Sequence, residues 1–150
     1  MCISNNFIGN TFKSNIRRKD TSLMEIGSSP SLMPELSLLE NIKYFLFNDN
    51  INENMISNVL NKYELESFKS DLVRDFSSGM IKRSEIAIAD LKNPKVLCID
   101  EPKVYLDENG VDLLLNLITK REKEGNASIL SGQESIGAIT SIERSINLND

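Results

Sequence analysis

The spacing of apolar residues predicts that the second half of the chain alternates between helices and short strands. Residues 109–125 have apolar side chains at helical spacing, and Gly125 stands where such a helix would end. The apolar runs at 96–99 and 127–131 are too short for helices and suit buried strands. A further run at 145–148 is a candidate last strand. This alternation indicates an α/β fold with a mostly parallel sheet.

The first half of the chain has mainly helical patterns. A loop rich in Ser, Pro and Gly covers 26–34, and Ser37 and Glu40 after it have the spacing of a capping box at a helix start. Residues 52–65 form an amphipathic helical pattern. Its apolar face comprises Met55, Ile56, Val59, Leu60 and Tyr63. Residues 76–93 form another helical pattern, with small residues to cap its start and an Asn-Pro pair to stop it.

These patterns divide the chain into three parts. Residues 1–25 are a poorly defined N-terminal segment, residues 26–93 a helical subdomain, and residues 94–150 an α/β part. The total of 150 residues suits a single domain with a core of two or three layers. We therefore expect the helical subdomain and the α/β part to belong to one folded unit.

Composition narrows the classes of function. The chain is 40% hydrophobic and 26% charged, which is typical of a soluble globular protein. Its formal net charge of -5 disfavours a nucleic-acid partner, because phosphate binding usually needs a basic surface. No run of about 18 apolar residues occurs, so a membrane role would require a membrane-spanning partner. The chain has no histidine, which excludes His-based catalysis and most zinc sites.

Two adjacent carboxylates follow the apolar run at 96–99. Asp100 and Glu101 would stand at the carboxyl end of that strand, where open α/β sheets collect their reactive residues. A carboxylate there can hold Mg²⁺, directly or through water, and the next one can orient an attacking water, as phosphoryl transfer requires. The alternative interpretation is a pair of solvated acids at a strand end.

A second candidate site lies at the start of the helix over 76–93. Ser77, Ser78 and Gly79 would stand at a helix N-terminus, where backbone amides and the helix dipole attract a phosphate. Glycine lets a backbone approach closely at this point. The alternative interpretation is a simple helix cap.

The order of these features resembles the ATP-binding subunits of ABC transporters. In that family the serine-glycine loop is the signature motif, the apolar-Asp-Glu run is Walker B, and a Leu-Asp pair, here ending at Asp107, belongs to the D-loop. The resemblance implies a partial P-loop NTPase fold with a helical signature subdomain, and it implies ATP and Mg²⁺ as cofactors. Asp100 would hold the metal and Glu101 would orient water. The nucleotide bound by a second subunit would be contacted by Ser77, Ser78, Gly79, Met80 and Asp107.

A narrower resemblance points to the ATP-binding subunit of the cytochrome c maturation haem exporter. It rests on residues 26–45 and 106–135, including the Ser-Pro-rich loop, the capping box and the following Glu-Asn helix. The resemblance implies ATP hydrolysis coupled to haem export, a second ATP-binding subunit and a membrane-spanning subunit as partners. It places the chain on the cytoplasmic face of a membrane or on the matrix face of the mitochondrial inner membrane.

The sequence also departs from the family pattern. It contains no G-x-x-x-x-G-K-[ST], the loop that cradles the nucleotide phosphates, so we expect a sheet that lacks its N-terminal strands and a chain that is inactive alone. The resemblance puts Gln133 near the place of the family's catalytic histidine, which contacts the γ-phosphate. It puts Ser28 and Ser29 where a glutamine or histidine usually stands at the metal and water. In the family, the strand that leads into the phosphate loop lies beside the Walker B strand. Because that strand is missing here, we expect the strand at 96–99 to have an exposed apolar edge.

Three alternatives remain open. The chain is a truncated or degenerate ATP-binding subunit, a non-catalytic dimerisation or regulatory module that keeps the signature helix, or one half of a split ATPase. In a dimer with an intact partner, one composite site would combine the partner's phosphate cradle with the serine-glycine loop of this chain. ATPases of chromosome maintenance share the signature and Walker B pattern, but their long coiled coils have no counterpart here.

Overall fold

The computed structural model describes residues 23–27 and 29–132, and within them three strands form one parallel sheet. The strands are β1 (Leu23–Ile26), β2 (Val96–Asp100) and β3 (Ala127–Ser131), in the spatial order β1-β2-β3. The sheet is parallel throughout, because β2 runs in the same direction as both of its neighbours. The predicted α/β class and the parallel sheet are therefore confirmed.

Four α-helices accompany the sheet in the described part of the chain. They are α1 (Leu38–Phe45), α2 (Glu53–Lys62), α3 (Ser78–Lys92) and α4 (Glu108–Lys123). Two short 3-10 turns, Glu66–Phe68 and Val73–Asp75, connect α2 to α3. None of the described helices has both the length and the apolar character needed to cross a membrane.

The helix boundaries follow from local capping chemistry. The predicted capping box is confirmed, because the Ser37 side chain accepts from the Glu40 amide while the Glu40 carboxylate accepts from the Ser37 amide. Asn52 caps α2 by accepting from the Met55 amide. After α3 the chain turns at Asn93, whose φ of 44° is left-handed, as expected of a residue that ends a helix. Each predicted helix thus exists, with its ends shifted by a few residues.

The core lies between the sheet and the buried faces of the helices. All five residues of β2 are buried, and so are most residues in the second half of α3. On α2 the predicted inward face is correct for Ile56, Leu60 and Tyr63 but wrong for Met55, which is 41% exposed. The expectation that β3 is fully buried is also wrong, because its residues are half-buried or exposed.

Strand β1 was not predicted from the sequence, and it changes the expected sheet. It pairs with β2 over four residues, placing Ile26 beside Ile99, while β3 pairs with the other side of β2. The expectation that an edge of β2 is left open is therefore wrong, since β2 is the central strand.

The candidate strand at 145–148 lies outside the described residues. The division at 93/94 stays a prediction.

A buried carboxylate connects three helices. Asp90 of α3, whose side chain is 3% exposed, accepts from Lys62 Nζ at 2.7 Å, Lys120 Nζ at 2.9 Å and the Tyr63 hydroxyl at 3.1 Å. Burial acts to raise the pKa of Asp90, but the hydrogen bonds from the two lysines outweigh burial and lower it. Burial and the nearby Asp90 charge raise the pKa of Tyr63. Asp90 therefore joins α2, α3 and α4 through charge-assisted hydrogen bonds.

A buried guanidinium lies at the amino ends of β2 and β3. Arg121 of α4 is fully buried and donates only to neutral acceptors. These acceptors are the Pro94 carbonyl at 2.9 Å, the Ala127 carbonyl at 2.8 Å, Asn93 Oδ1 at 3.2 Å and Ser128 Oγ at 3.1 Å. Burial lowers the pKa of Arg121, although Glu124 and Asp90 oppose this effect. Arg121 thus joins the turn before β2 to the first two residues of β3.

Candidate functional site

The acidic pair stands at the carboxyl end of the central strand, as the sequence predicts. Asp100 is the last residue of β2 and is 5% exposed, and its Oδ1 accepts from Ser131 Oγ at 2.7 Å. The Glu101 amide then donates to the Ser131 carbonyl at 2.7 Å. Glu101 is half-buried and has a φ of 49°, a left-handed conformation that is uncommon outside glycine and that turns the chain away from the strand.

The serine-glycine loop forms the start of α3. Ser77 is the N-cap, and its hydroxyl accepts from the Met80 amide at 3.2 Å. Ser77 and Ser78 are exposed, while Gly79 and Met80 are half-buried. The first amides of a helix have no partner within the helix, and the dipole is positive at this end. The loop is therefore a helix cap that also presents donors to the surroundings.

The structure brings this helix start and the acidic pair to the same place. A cavity of about 320 Å³ lies between them, and its wall includes Ser78, Asp100, Glu101 and Tyr105. A Cβ atom on Gly79 would lie 3.1 Å from the Tyr105 carbonyl oxygen, closer than nine in ten real Cβ contacts. Glycine at position 79 thus allows the loop after the acidic pair to pack directly on the start of α3.

Two charged residues of α3 that the sequence did not single out also line this cavity. Lys82 is 5% exposed, and its Nζ donates to the Gly27 carbonyl at 3.2 Å and to the Asp100 carbonyl at 3.4 Å. Burial lowers the pKa of Lys82, and the carboxylates of Glu85, Asp100 and Glu101 oppose that effect. The sequence contains no signal that would single them out, because Lys82 and Glu85 belong to a run of four charged and polar residues of the kind that normally faces solvent.

The second of these residues fixes the loop that follows β1. Glu85 is 2% exposed, and its Oε1 accepts from the Ser31 amide at 2.8 Å and from the Ser31 hydroxyl at 2.9 Å. Further along the same loop, Met33 is held by Asn41 of α1. The Asn41 side chain accepts from the Met33 amide and donates to the Met33 carbonyl. The loop between β1 and α1 is therefore bound to the buried faces of two helices.

Asp107 has a structural role that its family position did not suggest. It is the N-cap of α4, accepting from the Gly110 amide at 2.8 Å, and it pairs with the Arg83 guanidinium at 2.7 Å through both carboxylate oxygens. The Gly110 amide and the Arg83 charge hold the pKa of Asp107 below its usual range. Arg83 also bonds Glu64 at 2.7 Å, and these bonds raise its pKa. A contact of Asp107 with nucleotide stays a prediction.

The remaining predicted site residues cannot be placed in this arrangement. Gln133 and Ser28 lie outside the described residues. Ser29 is exposed and belongs to the loop after β1. The catalytic role of Gln133 and the phosphate contacts of Ser77, Ser78, Gly79 and Met80 stay predictions.

The predicted Mg²⁺ ligand Asp100 is already engaged in contacts within the chain. Among the described residues, no group of three or more His, Cys, Asp or Glu side chains is arranged to hold a metal ion. One carboxylate oxygen of Asp100 is engaged by Ser131, and the ammonium group of Lys82 is already bound to carbonyls at this edge. Mg²⁺ demands near-octahedral oxygen ligation and usually takes part of it from substrate phosphates. Metal binding by Asp100 therefore stays a prediction that these contacts disfavour.

The fold is that of a partial α/β domain of the P-loop type, and comparison with known proteins assigns the family. The model of the ABC transporter family matches residues 6–104, most of the first two thirds of the chain. The chain belongs to the ABC transporter family. A solved structure described as the ATP-binding subunit of an ABC transporter has the same fold, with a TM-score of 0.70 and 27% identity. That match covers 77% of this chain and 50% of the solved one.

Two relatives illustrate how broad this similarity is. The lantibiotic transport ATP-binding protein SrtF of Streptococcus pyogenes is 35% identical over 112 residues, covering 73% of this chain and 49% of SrtF. The cytochrome c biogenesis ATP-binding export protein CcmA of Aliivibrio fischeri is 26% identical over 127 residues, covering 84% of this chain and 62% of CcmA. The chain spans about half the length of SrtF. The resemblance to ABC ATP-binding subunits is confirmed, whereas the comparisons do not single out the haem exporter.

Proposed function

We propose that this chain supplies the signature side of a composite ATP site in an ABC transporter. The observation that carries the proposal is the exposed, Ser77-capped start of α3, packed through Gly79 on the loop that follows the acidic pair. An exposed helix start can receive a phosphate that another subunit holds.

In this proposal the residues of the chain act by positioning and by electrostatics. The exposed hydroxyls of Ser77 and Ser78 and the first amides of α3 would donate to the terminal phosphate of the partner's ATP. ATP with its Mg²⁺ supplies the phosphoryl group whose transfer to water releases energy. Glu101 would orient a water and Asp100 would face the metal only if this chain also had a nucleotide beside it.

Haem export is the finer proposal about the transported substrate. It is supported by the likeness of residues 26–45 to haem-exporter subunits and by the CcmA relatives, which match more of the chain than SrtF does. The expected partners are a second ATP-binding subunit and a membrane-spanning subunit. The chain would then lie on the cytoplasmic face of a membrane. The matrix face of a mitochondrion is the other proposed place, although the relatives named above are bacterial.

A regulatory or dimerisation module is the second candidate function. The observation that favours it is Lys82, a buried positive charge in the cavity that a catalytic subunit would use for nucleotide. Such a module would keep the helix start as a binding surface without hydrolysing ATP. One half of a split ATPase is the third candidate, in which the phosphate cradle belongs to a separate polypeptide.

Binding measurements can test the composite site. Isothermal titration of the chain alone with Mg-ATP should show no micromolar binding. Together with an intact, hydrolysis-deficient ATP-binding subunit from the same organism, the chain should associate when ATP is added. The change Ser78→Arg should weaken that association at least about tenfold, because its long side chain would cover the first amides of α3 that the phosphate must approach.

The matched control is Ser70→Arg, which adds the same side chain at an exposed position away from the cavity. This variant should associate as the wild type does. Micromolar binding of Mg-ATP by the isolated chain, or ATP-dependent association that Ser78→Arg leaves intact, would contradict the proposal.

A further inference from the structure

The acidic edge of the sheet contains a buried cation that belongs to the chain itself. Lys82 extends from α3 to the carboxyl ends of β1 and β2, where its Nζ donates to the carbonyls of Gly27 and Asp100. Three carboxylates, those of Glu85, Asp100 and Glu101, line the same cavity. Lys82, Glu85 and Asp100 are each at least nine-tenths buried.

The environment of Lys82 explains how an ammonium group can be buried here. Removing an ammonium ion from water is costly unless nearby charges and hydrogen bonds compensate. Compensation comes from the two backbone carbonyls and from the three carboxylates, which all favour the charged form. Of these carboxylates, Glu85 is also hydrogen-bonded by Ser31 and Asp100 by Ser131. The carboxylates in turn are stabilised by the positive charge of Lys82.

We propose that Lys82 is the resident cation of this edge and takes the electrostatic position that a divalent metal ion would otherwise occupy. The Nζ atom lies 3.2 Å from the Gly27 carbonyl oxygen, at the long end of the N–H···O range, and 3.4 Å from the Asp100 carbonyl oxygen, slightly beyond that range. Mg²⁺ would need oxygens at about 2.0–2.1 Å in octahedral geometry. The lysine is covalently attached, so it occupies the edge at any metal concentration. The acidic pair of this chain therefore binds no Mg²⁺ of its own.

Thermal melting in the presence of Mg²⁺ tests this inference. The Mg²⁺ concentration is 10 mM, about ten times a millimolar Kd. In wild type, MgCl₂ at this concentration should change Tm no more than NaCl at the same ionic strength does. In Lys82→Gln the carboxylates lose their counter-charge, so Tm should fall without metal and rise by about 3 °C when Mg²⁺ is added. Lys82→Arg keeps the positive charge and should not respond to Mg²⁺.

The matched control is Lys103→Gln, which removes the same charge from an exposed position in the loop after Glu101. This variant should melt as the wild type does, with and without Mg²⁺. An equal Mg²⁺ response in wild type and Lys82→Gln would overturn the inference. A Lys82→Gln response no larger than that of Lys103→Gln would overturn it as well.

A second measurement decides the matter should Lys82→Gln fail to fold. Mn²⁺ is added to ¹⁵N-labelled wild-type chain, and paramagnetic broadening of the amide signals near the acidic pair is followed by NMR. We expect no selective broadening at Glu101, Ser131 and Gly132 relative to exposed amides elsewhere. Selective broadening at those amides at sub-millimolar Mn²⁺ would show that a metal binds despite Lys82, and would refute the proposal.

Discussion

Replacing Arg121 with Met should lower the free energy of unfolding by about 3–5 kcal/mol, the largest effect expected of a single change in this chain. The guanidinium is fully buried and donates to four acceptors, two in the turn before β2 and two at the start of β3. Methionine fills part of the volume but donates nothing, so the carbonyls of Pro94 and Ala127 lose their side-chain donor in a buried place. Urea denaturation followed by circular dichroism measures the change.

Two further variants separate geometry from charge at this position. Arg121→Lys keeps a cation but loses the planar fork, so it should recover only part of the lost stability. Lys123→Met removes a cation from the exposed last turn of the same helix and should cost less than about 1 kcal/mol. Equal stability of wild type and Arg121→Met would show that the buried hydrogen bonds of Arg121 contribute nothing net.

Replacing Asp90 with Asn should lower the free energy of unfolding by about 2–3 kcal/mol at pH 7, the second largest effect. The amide keeps the shape of the carboxylate but loses the charge that Lys62 and Lys120 contact. The side chains of these lysines are 36% and 47% exposed, so each can turn to water, which reduces the cost below that of a fully buried pair.

The effect of Asp90 should also depend on pH in a defined direction. Its folded pKa is lowered, so its contribution is present above the unfolded value of about 4 and is lost as the pH falls through the folded pKa. The stability difference between wild type and Asp90→Asn should therefore stay constant from pH 7 to about pH 4 and shrink as the pH falls further. Asp112→Asn, an exposed change on α4, should match wild type throughout. A difference between wild type and Asp90→Asn that stays constant below about pH 4 would contradict the assignment.

The helices could be predicted because their signals are local. Apolar residues at helical spacing and caps such as Ser37 and Asn52 specify a helix within a few residues of sequence. Strand β2 was predictable for a similar reason, because the unbroken apolar run at 96–99 indicates a buried strand. All five residues of β2 are indeed buried. These elements form from contacts that the nearby sequence already encodes.

Strand β1 was missed because its evidence is not local. Its four residues alternate in burial, with only Ile26 fully buried, and they follow a basic segment without a clear pattern. What makes them a strand is pairing with β2, about seventy residues later in the sequence. The same missing strand caused the wrong expectation that an edge of β2 would be open. Pairing partners of this kind cannot be inferred from a four-residue pattern.

Two of the charged residues at the candidate site could be located from the sequence, and two could not. Acids after an apolar run stand at a strand end by geometry alone, so Asp100 and Glu101 could be located. Lys82 and Glu85 could not, because charged residues on a helix normally face solvent. Only the folded chain shows that the Gly27 carbonyl and the Ser31 amide meet these two side chains and make their burial possible.

The pairing of β1 with β2 has a consequence for any attempt to dissect this protein. The helical stretch from α1 to α3 is inserted in the sequence between two strands that hydrogen-bond to each other. A polypeptide cut after Asn93 would keep β1 but lose the strand that satisfies its backbone, and it would uncover the apolar side of α3. Peptide fragments split at that point should recover native structure only on being mixed.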